Sequence, residues 1–499
     1  MKVTVKAADP AGLKIPALLV FLFSEDQPDL SARPELAGFK PLIAPRLESK
    51  DFQADHLNTL TLFPEARPGP ERVILAGLGP EKELTSAKLR AAAAKAAQTA
   101  RDHGLAAAAL LAPPARGPLA DTAETAEHAV LGAFLGLQQF NELKTEAKEK
   151  KAPLKSLLVL PAETRARSET EAAARAAEIL AEAVRRARDL GNRPANLLYP
   201  ETLAEEARKL AKSAGLKIKV LDQNQARRRG MGAFLAVAQG SHRPGRVIIL
   251  EYKGGAPKER PVVLVGKAIT FDSGGLSLKP SEGLHNMKTD MAGGAAVLAV
   301  LAAAAGLKLK LNLVGIVPAA ENMPDGGAYR PGDILTSMSG QTIEVISTDA
   351  EGRLILADAL TLAREYTPYR LIDIATLTGA CVVALGEKCA GLMGTSPELI
   401  ADLKNASVRS GERVWEMPLI DDYYELLKSE TADFKNAGAR YGGAITGALF
   451  LKKFVGDAPW AHLDIAGPSR LEKAEPDTPA GATGFGVLLL STFLRDLAP

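Results

Sequence analysis

Cysteine is nearly missing from this sequence: Cys381 and Cys389 are the only two thiols in 499 residues. That excludes a disulfide framework and fits a reducing compartment. Neither thiol reads as a nucleophile. A reactive cysteine wants a histidine partner and a lowered pKa, and no pairing motif joins either one to His285 or His462. Both are expected to be buried packing residues, and His462 a satisfied core or interface histidine. Net charge is nearly missing too, with 61 Lys+Arg against 59 Asp+Glu. So balanced a chain lacks the electrostatic footprint of a general nucleic-acid binder. The opening MKVTVKAADPAGLK has no apolar stretch of the signal-peptide kind, and the run Leu18–Phe23 is far too short to span a bilayer. A cytoplasmic protein with no membrane partner is expected. The six histidines are scattered, with no His-Glu-x-x-His and no cysteine pair beside a histidine. Any metal site must therefore be built from carboxylates, with a lysine amine as an additional nitrogen ligand.

Carboxylates and lysines are present in the right places. The stretch VVLVGKAITFDSGGLSLKPSEGLHNMKTDMAGGA, from Val262 to Ala295, opens on a run that reads as a buried strand. Lys267, Asp272, Lys279 and Asp290 follow, interleaved with glycines that let a backbone turn sharply and approach a ligand closely. Charged groups just past the carboxyl end of a strand sit where open α/β sheets place their sites. A second stretch, VISTDAEGRLILADAL over 345–360, carries Asp349, Glu351 and Arg353 between a β-like and a helix-like run. Asp272, Asp290, Asp349 and Glu351 make a hard-oxygen set suited to divalent cations. The plain alternatives are a salt bridge from Lys267 to Asp272 and an Arg353 that merely caps a carboxylate.

At these residues the sequence resembles the cytosol (leucyl) aminopeptidase family of two-metal exopeptidases. The resemblance rests on GKAITFDSGGLSLKP, NMKTDMAGGAA and TDAEGRL. It extends through NRPANLLYPETLA from Asn192, GMGAFLAVAQGS from Gly230, AENMPDGGAYRPGDI from Ala320, IATLTGA from Ile374, WAHLDIAG from Trp460 and GATGFGV from Gly481. It covers roughly residues 190–490. The resemblance implies two divalent ions, Zn²⁺ or Mn²⁺ with Co²⁺ or Mg²⁺ at a looser site. Asp272 and Glu351 would bridge them, Lys267 and Asp290 would complete one shell, and Asp349 the other. It implies Lys279 as the group polarising the scissile carbonyl and Arg353 as the holder of a bicarbonate base. Met287, Thr376 and Gly379 would line the pocket for the N-terminal side chain. It further implies peptide substrates with large apolar N-terminal residues such as leucine, and a homohexamer. Two positions depart from the family pattern: Ser347 stands where Asn is usual and Ala268 where Gly is usual. Both usual residues tolerate positive φ, so the departures bear on loop geometry. Two other readings compete. One is a nucleic-acid- or nucleotide-binding protein acting through its N-terminal domain; the other is a metal-dependent hydrolase of a different bond.

The expected fold is α/β, with two domains of mixed or parallel sheet flanked by helices: 1–167, a linker helix over 168–190, and a catalytic domain over 191–499. In the first domain Val3–Ala7, Leu18–Phe23, Arg72–Leu75, Ala106–Leu111 and Ser156–Leu160 read as strands, and Thr85–Arg101 and Thr122–Gln138 as helices. Ala76-Gly77-Leu78-Gly79 reads as a βα turn, since it lacks the remaining elements of a phosphate loop. Lys144–Lys155 reads as a solvated face or an interdomain loop, and Ser168-x-x-Glu171 as a capping box. Strands over Val247–Tyr252, Val262–Val265, Leu311–Val317 and Leu371–Ala375 and helices over Ala292–Ala305 and Leu354–Glu365 are expected further on. Arg227-Arg228-Arg229 reads as a solvated loop.

Overall fold

The computed structural model describes residues 1–26, 30–31, 33–65, 68–145, 153–438 and 440–498. Most of the Lys144–Lys155 run lies outside the described residues. The chain groups into two compact units. One comprises Met1–Glu182 with Lys473–Ala480, the other Ala183–Glu472 with Gly481–Pro499.

The first unit is built on a six-stranded sheet. In spatial order its strands are Lys2–Val5, Ser156–Leu160, Ala107–Leu111, Leu18–Phe23, Val73–Gly79 and Thr59–Leu62. All are parallel except the last. The unbroken apolar run Leu18–Phe23 is buried at every position, as a central parallel strand covered on both faces requires. Ala76–Gly79 is not a turn, contrary to the sequence reading: it continues the strand Val73–Gly79. The glycine there answers to packing, because a Cβ on Gly77 would lie 2.1 Å from the carbonyl oxygen of Asp55.

A 26-residue helix, Arg167–Asn192, spans the stretch 168–190. Its start differs from the capping-box reading. Ser168 already lies inside the helix, and Glu171 accepts from Arg167 Nε at 2.9 Å, an i,i+4 pair on the helix surface.

The second unit carries the larger sheet, of nine strands. Its centre is four parallel strands, in spatial order Trp460–Asp464, Arg370–Ala375, Val262–Gly266 and Asn312–Asn322. Beyond them Ala390–Gly394, and Arg246–Lys253 followed by Lys217–Leu221, run antiparallel to their inner neighbours. Alternation along the strands separates two helical layers. Val314 and Ile316 pack with Leu354, Leu356 and Leu360 of the helix Glu351–Ala363. The intervening Gly315 faces Val297 and Leu301 of the helix Ala292–Leu307 on the other side. The stretch Leu284–Leu307 is long and apolar enough to cross a membrane by composition, but 72% of its apolar window is buried within the fold. It is apolar all round because it is packed all round.

Two strand readings need extension. The run read as Leu311–Val317 continues to Asn322, and a further strand, Ala268–Asp272, pairs in parallel with that extension. The strand signal faded at Pro318, which cannot donate to a ladder, and at Lys267, which interrupts the apolar run; the strands resume beyond both. Neither departure from the family pattern strains the backbone. Ala268 sits in the strand, and neither it nor Ser347 is among the residues with positive φ.

Asp358 ties this core together. It is fully buried, and its two oxygens accept from the backbone N–H of Phe234 at 2.8 Å and of Met338 at 2.7 Å. The helix Gly232–Ala238 has no side-chain cap of its own, so this carboxylate supplies one from a distance. Asp358→Asn should destabilise the fold by about 1–3 kcal/mol, because an amide NH₂ must then face a backbone N–H in place of an acceptor. Chemical denaturation of the two proteins checks this; equal midpoints would show that the cap carries no energy.

Candidate functional site

The loop ends that carry the charged residues all leave the same edge of the central sheet. Lys267 stands between the strands Val262–Gly266 and Ala268–Asp272. Its backbone is fixed on both sides: its N–H donates to Ile374 O at 3.1 Å and its carbonyl accepts from Gly294 N at 2.7 Å. Asp272 ends its strand. Asp290 follows the short helical turn Leu284–Thr289, just before the helix Ala292–Leu307. Glu351 is the first residue of the helix Glu351–Ala363, and Thr376 follows the strand Arg370–Ala375. Carboxyl ends of parallel strands and amino ends of helices thus converge, which is where open α/β sheets hold ligands.

The side chains meet. Lys267 Nζ lies 2.9 Å from Glu351 Oε1, 2.9 Å from Asp290 Oδ1 and 2.8 Å from Thr376 O. The expected alternative, a bridge from Lys267 to Asp272, is not what forms. Asp272 instead pairs with Lys279, Oδ2 to Nζ at 2.8 Å, and Lys279 also pairs with Asp349. Asp272, Asp290 and Glu351 each offer an oxygen within 4.8 Å of the others, and all three are buried. Gly352 makes room for this. A Cβ there would lie 2.6 Å from Lys267 Cε and 2.7 Å from its Nζ.

Burial and crowding set the electrostatics. Desolvation works against the Lys267 ammonium, but the adjacent charges of Asp290, Glu351 and Asp272 outweigh it and hold its pKa above the ordinary lysine range. Lys279 behaves likewise: burial opposes its charge, and Asp272, Glu351 and Asp349 raise it. Burial, then the neighbouring Asp272 charge, pushes Glu351 and Asp349 up. Burial also pushes Asp290 up, against the pull of Lys267. Were all groups ionised, four carboxylates would face two lysines, a net charge of −2; Asp272, Asp290 and Glu351 are buried, while Lys279 and Asp349 lie at the accessible rim. Asp290 Oδ2 is ion-paired with Lys267 Nζ at 2.8 Å without hydrogen-bond geometry. A buried cluster of hard oxygen donors with more carboxylates than cationic groups fits divalent cations.

Arg353 stands apart from the carboxylates. It is buried, its Nη1 donates to Asn436 O at 2.8 Å and its Nε has no partner. No carboxylate pairs with it among the described residues, so it does not cap one. Burial lowers its pKa to about 10, with the charges of Glu351 and Asp464 opposing. Thr376 joins the cluster directly, its hydroxyl donating to Asp290 Oδ1 at 2.6 Å. Met287 is tied to it through the backbone, its carbonyl accepting from Asp290 N at 3.3 Å. Gly379, an exposed position, begins the helix Gly379–Leu385 beyond Thr376.

Sequence reasoning missed the supporting scaffold. Asn322 and Tyr329 both donate to Thr348 O, at 2.9 and 2.7 Å. Asp464 accepts from Leu377 N at 3.1 Å and from the Thr378 hydroxyl at 2.6 Å, fixing the loop that carries Thr376 and Gly379. The segments AENMPDGGAYRPGDI and WAHLDIAG contained these residues, but nothing in their spacing assigned them a role. Cys381 is a buried packing group, and burial with the Asp464 charge pushes it up to about 12; Cys389, expected to be buried, is only partly so. His462 is a core residue paired with Asp373.

Charged groups gathered beyond the strand ends of a doubly covered sheet define an α/β enzyme, and comparison with known proteins makes it a peptidase. The description "Cytosol aminopeptidase family, catalytic domain" fits residues 185–491, and that family's N-terminal domain fits 19–147. The chain belongs to the cytosol aminopeptidase family. It is 51% identical over 449 residues to a probable cytosol aminopeptidase of Geotalea uraniireducens, covering 88% of each chain. It is 44% identical to that of Geobacter sulfurreducens over 99% of each. Among solved structures, a point mutant of tomato leucine aminopeptidase superposes with a TM-score of 0.85 at 34% identity, over 99% of this chain and 96% of that one. The bottromycin maturation enzyme BotP in complex with Mn matches with a TM-score of 0.84 at 35% identity, over 97% and 100%.

Proposed function

We propose that the protein is a metallo-aminopeptidase that removes the N-terminal residue of peptides, preferring large apolar residues such as leucine. The observation that carries this is the buried cluster of Asp272, Asp290 and Glu351 with oxygens within 4.8 Å of one another. In this reading Lys267, Asp272, Asp290, Asp349 and Glu351 would hold two divalent cations, with Asp272 and Glu351 assigned to both, Lys267 and Asp290 to one and Asp349 to the other. When bound, such a pair supplies Lewis acidity and a water acidic enough to serve as nucleophile near neutral pH. Zinc or manganese is the proposed pair, with cobalt or magnesium as substitutes at the looser site.

The chain's own residues do the rest. Lys279 lies at the accessible rim of the cluster, with 22% of its side chain exposed. It donates to the carbonyl oxygen as negative charge develops there. The buried Arg353, with an unpartnered Nε, holds a bicarbonate as a planar anion that accepts a proton. Met287, Thr376 and Gly379 line the pocket for the N-terminal side chain. The working form is proposed to be a cytoplasmic homohexamer; both the assembly and the location rest on the family resemblance.

The test is exopeptidase polarity. If the substrate's free α-amine is what anchors the peptide, an N-acetylated leucyl peptide should be cleaved very poorly beside the free one. For free substrates kcat/KM should rise from pH 6 to 9, since α-amines lose their proton near 8. Comparable hydrolysis of acetylated and free leucyl peptides would remove the amine as anchor and the aminopeptidase reading with it.

A further inference from the structure

We infer that Asn322 is a positioning residue that sets the orientation of Asp272 and Glu351, the two carboxylates assigned to bridge the cations, and so tunes how tightly cations are held. The inference rests on the ligand assignment above. Asn322 is the last residue of the strand Asn312–Asn322 and stands opposite Asp272 in the parallel ladder. It is wholly buried. Its backbone carbonyl accepts from the N–H of Ser273 at 3.0 Å and from that residue's hydroxyl at 2.7 Å, so the strand end and the turn after Asp272 are locked together.

The side-chain amide reaches acceptors on two segments, Asp272 on one and Thr348 with Glu351 on the other. Nδ2 lies 2.8 Å from Asp272 Oδ1, 2.9 Å from Thr348 O and 3.4 Å from Glu351 Oε2. Its Oδ1 has no partner. Turning the amide over would aim that oxygen at two carboxylates and a carbonyl, so the chemistry of the neighbours fixes the orientation. The lysines hold the other oxygens of the same carboxylates: Lys279 at Asp272 Oδ2 and Lys267 at Glu351 Oε1. Asn322 therefore contacts the oxygens that the lysines leave.

That division has a consequence for function. Lys267 and Lys279 are themselves assigned roles toward the cations and the substrate, whereas the Asn322 amide serves only the carboxylates and Thr348 O. Asn322 is neutral, so it neither competes with a cation for the site nor changes its charge when one enters. Through Thr348 O it also fixes the peptide unit that leads into Asp349. Outer hydrogen-bond donors of this kind orient metal-ligating carboxylates, and removing one typically costs about 10–100-fold in metal affinity.

The test is Mn²⁺ titration of the metal-free full-length protein by calorimetry, with electron paramagnetic resonance of the loaded form. Asn322→Ala and Asn322→Ser, each shown by circular dichroism to be natively folded, should bind Mn²⁺ about 10–100-fold more weakly and give an altered spectrum. Asn322→Ser keeps a small polar side chain and serves where Asn322→Ala does not fold. Tyr329→Phe is the control. It removes the other donor to Thr348 O, at 2.7 Å, without a hydrogen bond to either carboxylate, and should keep wild-type affinity. Folded Asn322 variants with affinity within about twofold of wild type and an unchanged spectrum would overturn the inference. So would an equal loss in Tyr329→Phe, which would place the effect in the backbone. The number of ions bound by the wild type reads the two-cation proposal separately, whichever way the Asn322 variants fall.

Discussion

Asp272→Ala and Glu351→Ala are expected to bring peptide hydrolysis to assay background, with loss of bound metal on elemental analysis. Each side chain is proposed to touch both cations, so neither can be lost without disturbing the pair. The surroundings reinforce this. Glu351 is 1% exposed and pairs with Lys267 at 2.9 Å; Asp272 is 3% exposed and pairs with Lys279 at 2.8 Å. Removing one partner of a buried ion pair leaves an uncompensated charge, at a cost of about 3–5 kcal/mol. Lys267 retains Asp290 and Lys279 retains Asp349, which moderates that cost, so the variants should fold but melt earlier. Activity must therefore be read at a temperature where circular dichroism shows both proteins native. In parallel, chelation of the wild type should abolish hydrolysis of a leucyl anilide, and Mn²⁺ or Zn²⁺ should restore it. Full activity in a preparation shown to be free of metal would end the hypothesis outright.

Lys279→Ala should lower kcat by on the order of 10²–10³, the scale for losing one donor to a developing oxyanion, while leaving metal content intact. Two lysines sit in the cluster and the structure separates them. Lys267 is 3% exposed, enclosed by Asp290, Glu351 and Thr376 O, and packed against Gly352. Lys279 is 22% exposed and pairs with Asp349, itself 38% exposed. Only Lys279 is open to an incoming substrate. Its removal takes one positive charge from the rim, so the cations should be held at least as well as before. A Lys279→Ala protein that has lost a metal ion would show the two lysine roles to be exchanged or merged. One with wild-type kcat would show that the carbonyl is polarised elsewhere.

The sequence by itself pointed to the charged residues of the candidate site, which the fold brings together. Lys267, Asp272, Lys279, Asp290, Asp349 and Glu351 were legible because charged residues among glycines at strand ends are uncommon and their spacing follows a family pattern. It also determined the α/β class, since buried parallel strands read as apolar runs and amphipathic helices as periodic ones. The tertiary structure decided the pairing of those charges. Lys267 and Asp272 are five positions apart but take different partners, because Lys267 turns inward between two strands while Asp272 ends one of them. Pairing among buried charges follows distances across segments, and local sequence does not encode them. The tertiary structure alone also disclosed the supporting scaffold of Asn322, Tyr329, Thr348 and Asp464. A buried amide or hydroxyl gains its role from the donors and acceptors that other strands bring to it. Asn322 meets Thr348 and Glu351 across gaps of 26 and 29 residues, and only the folded sheet closes those gaps.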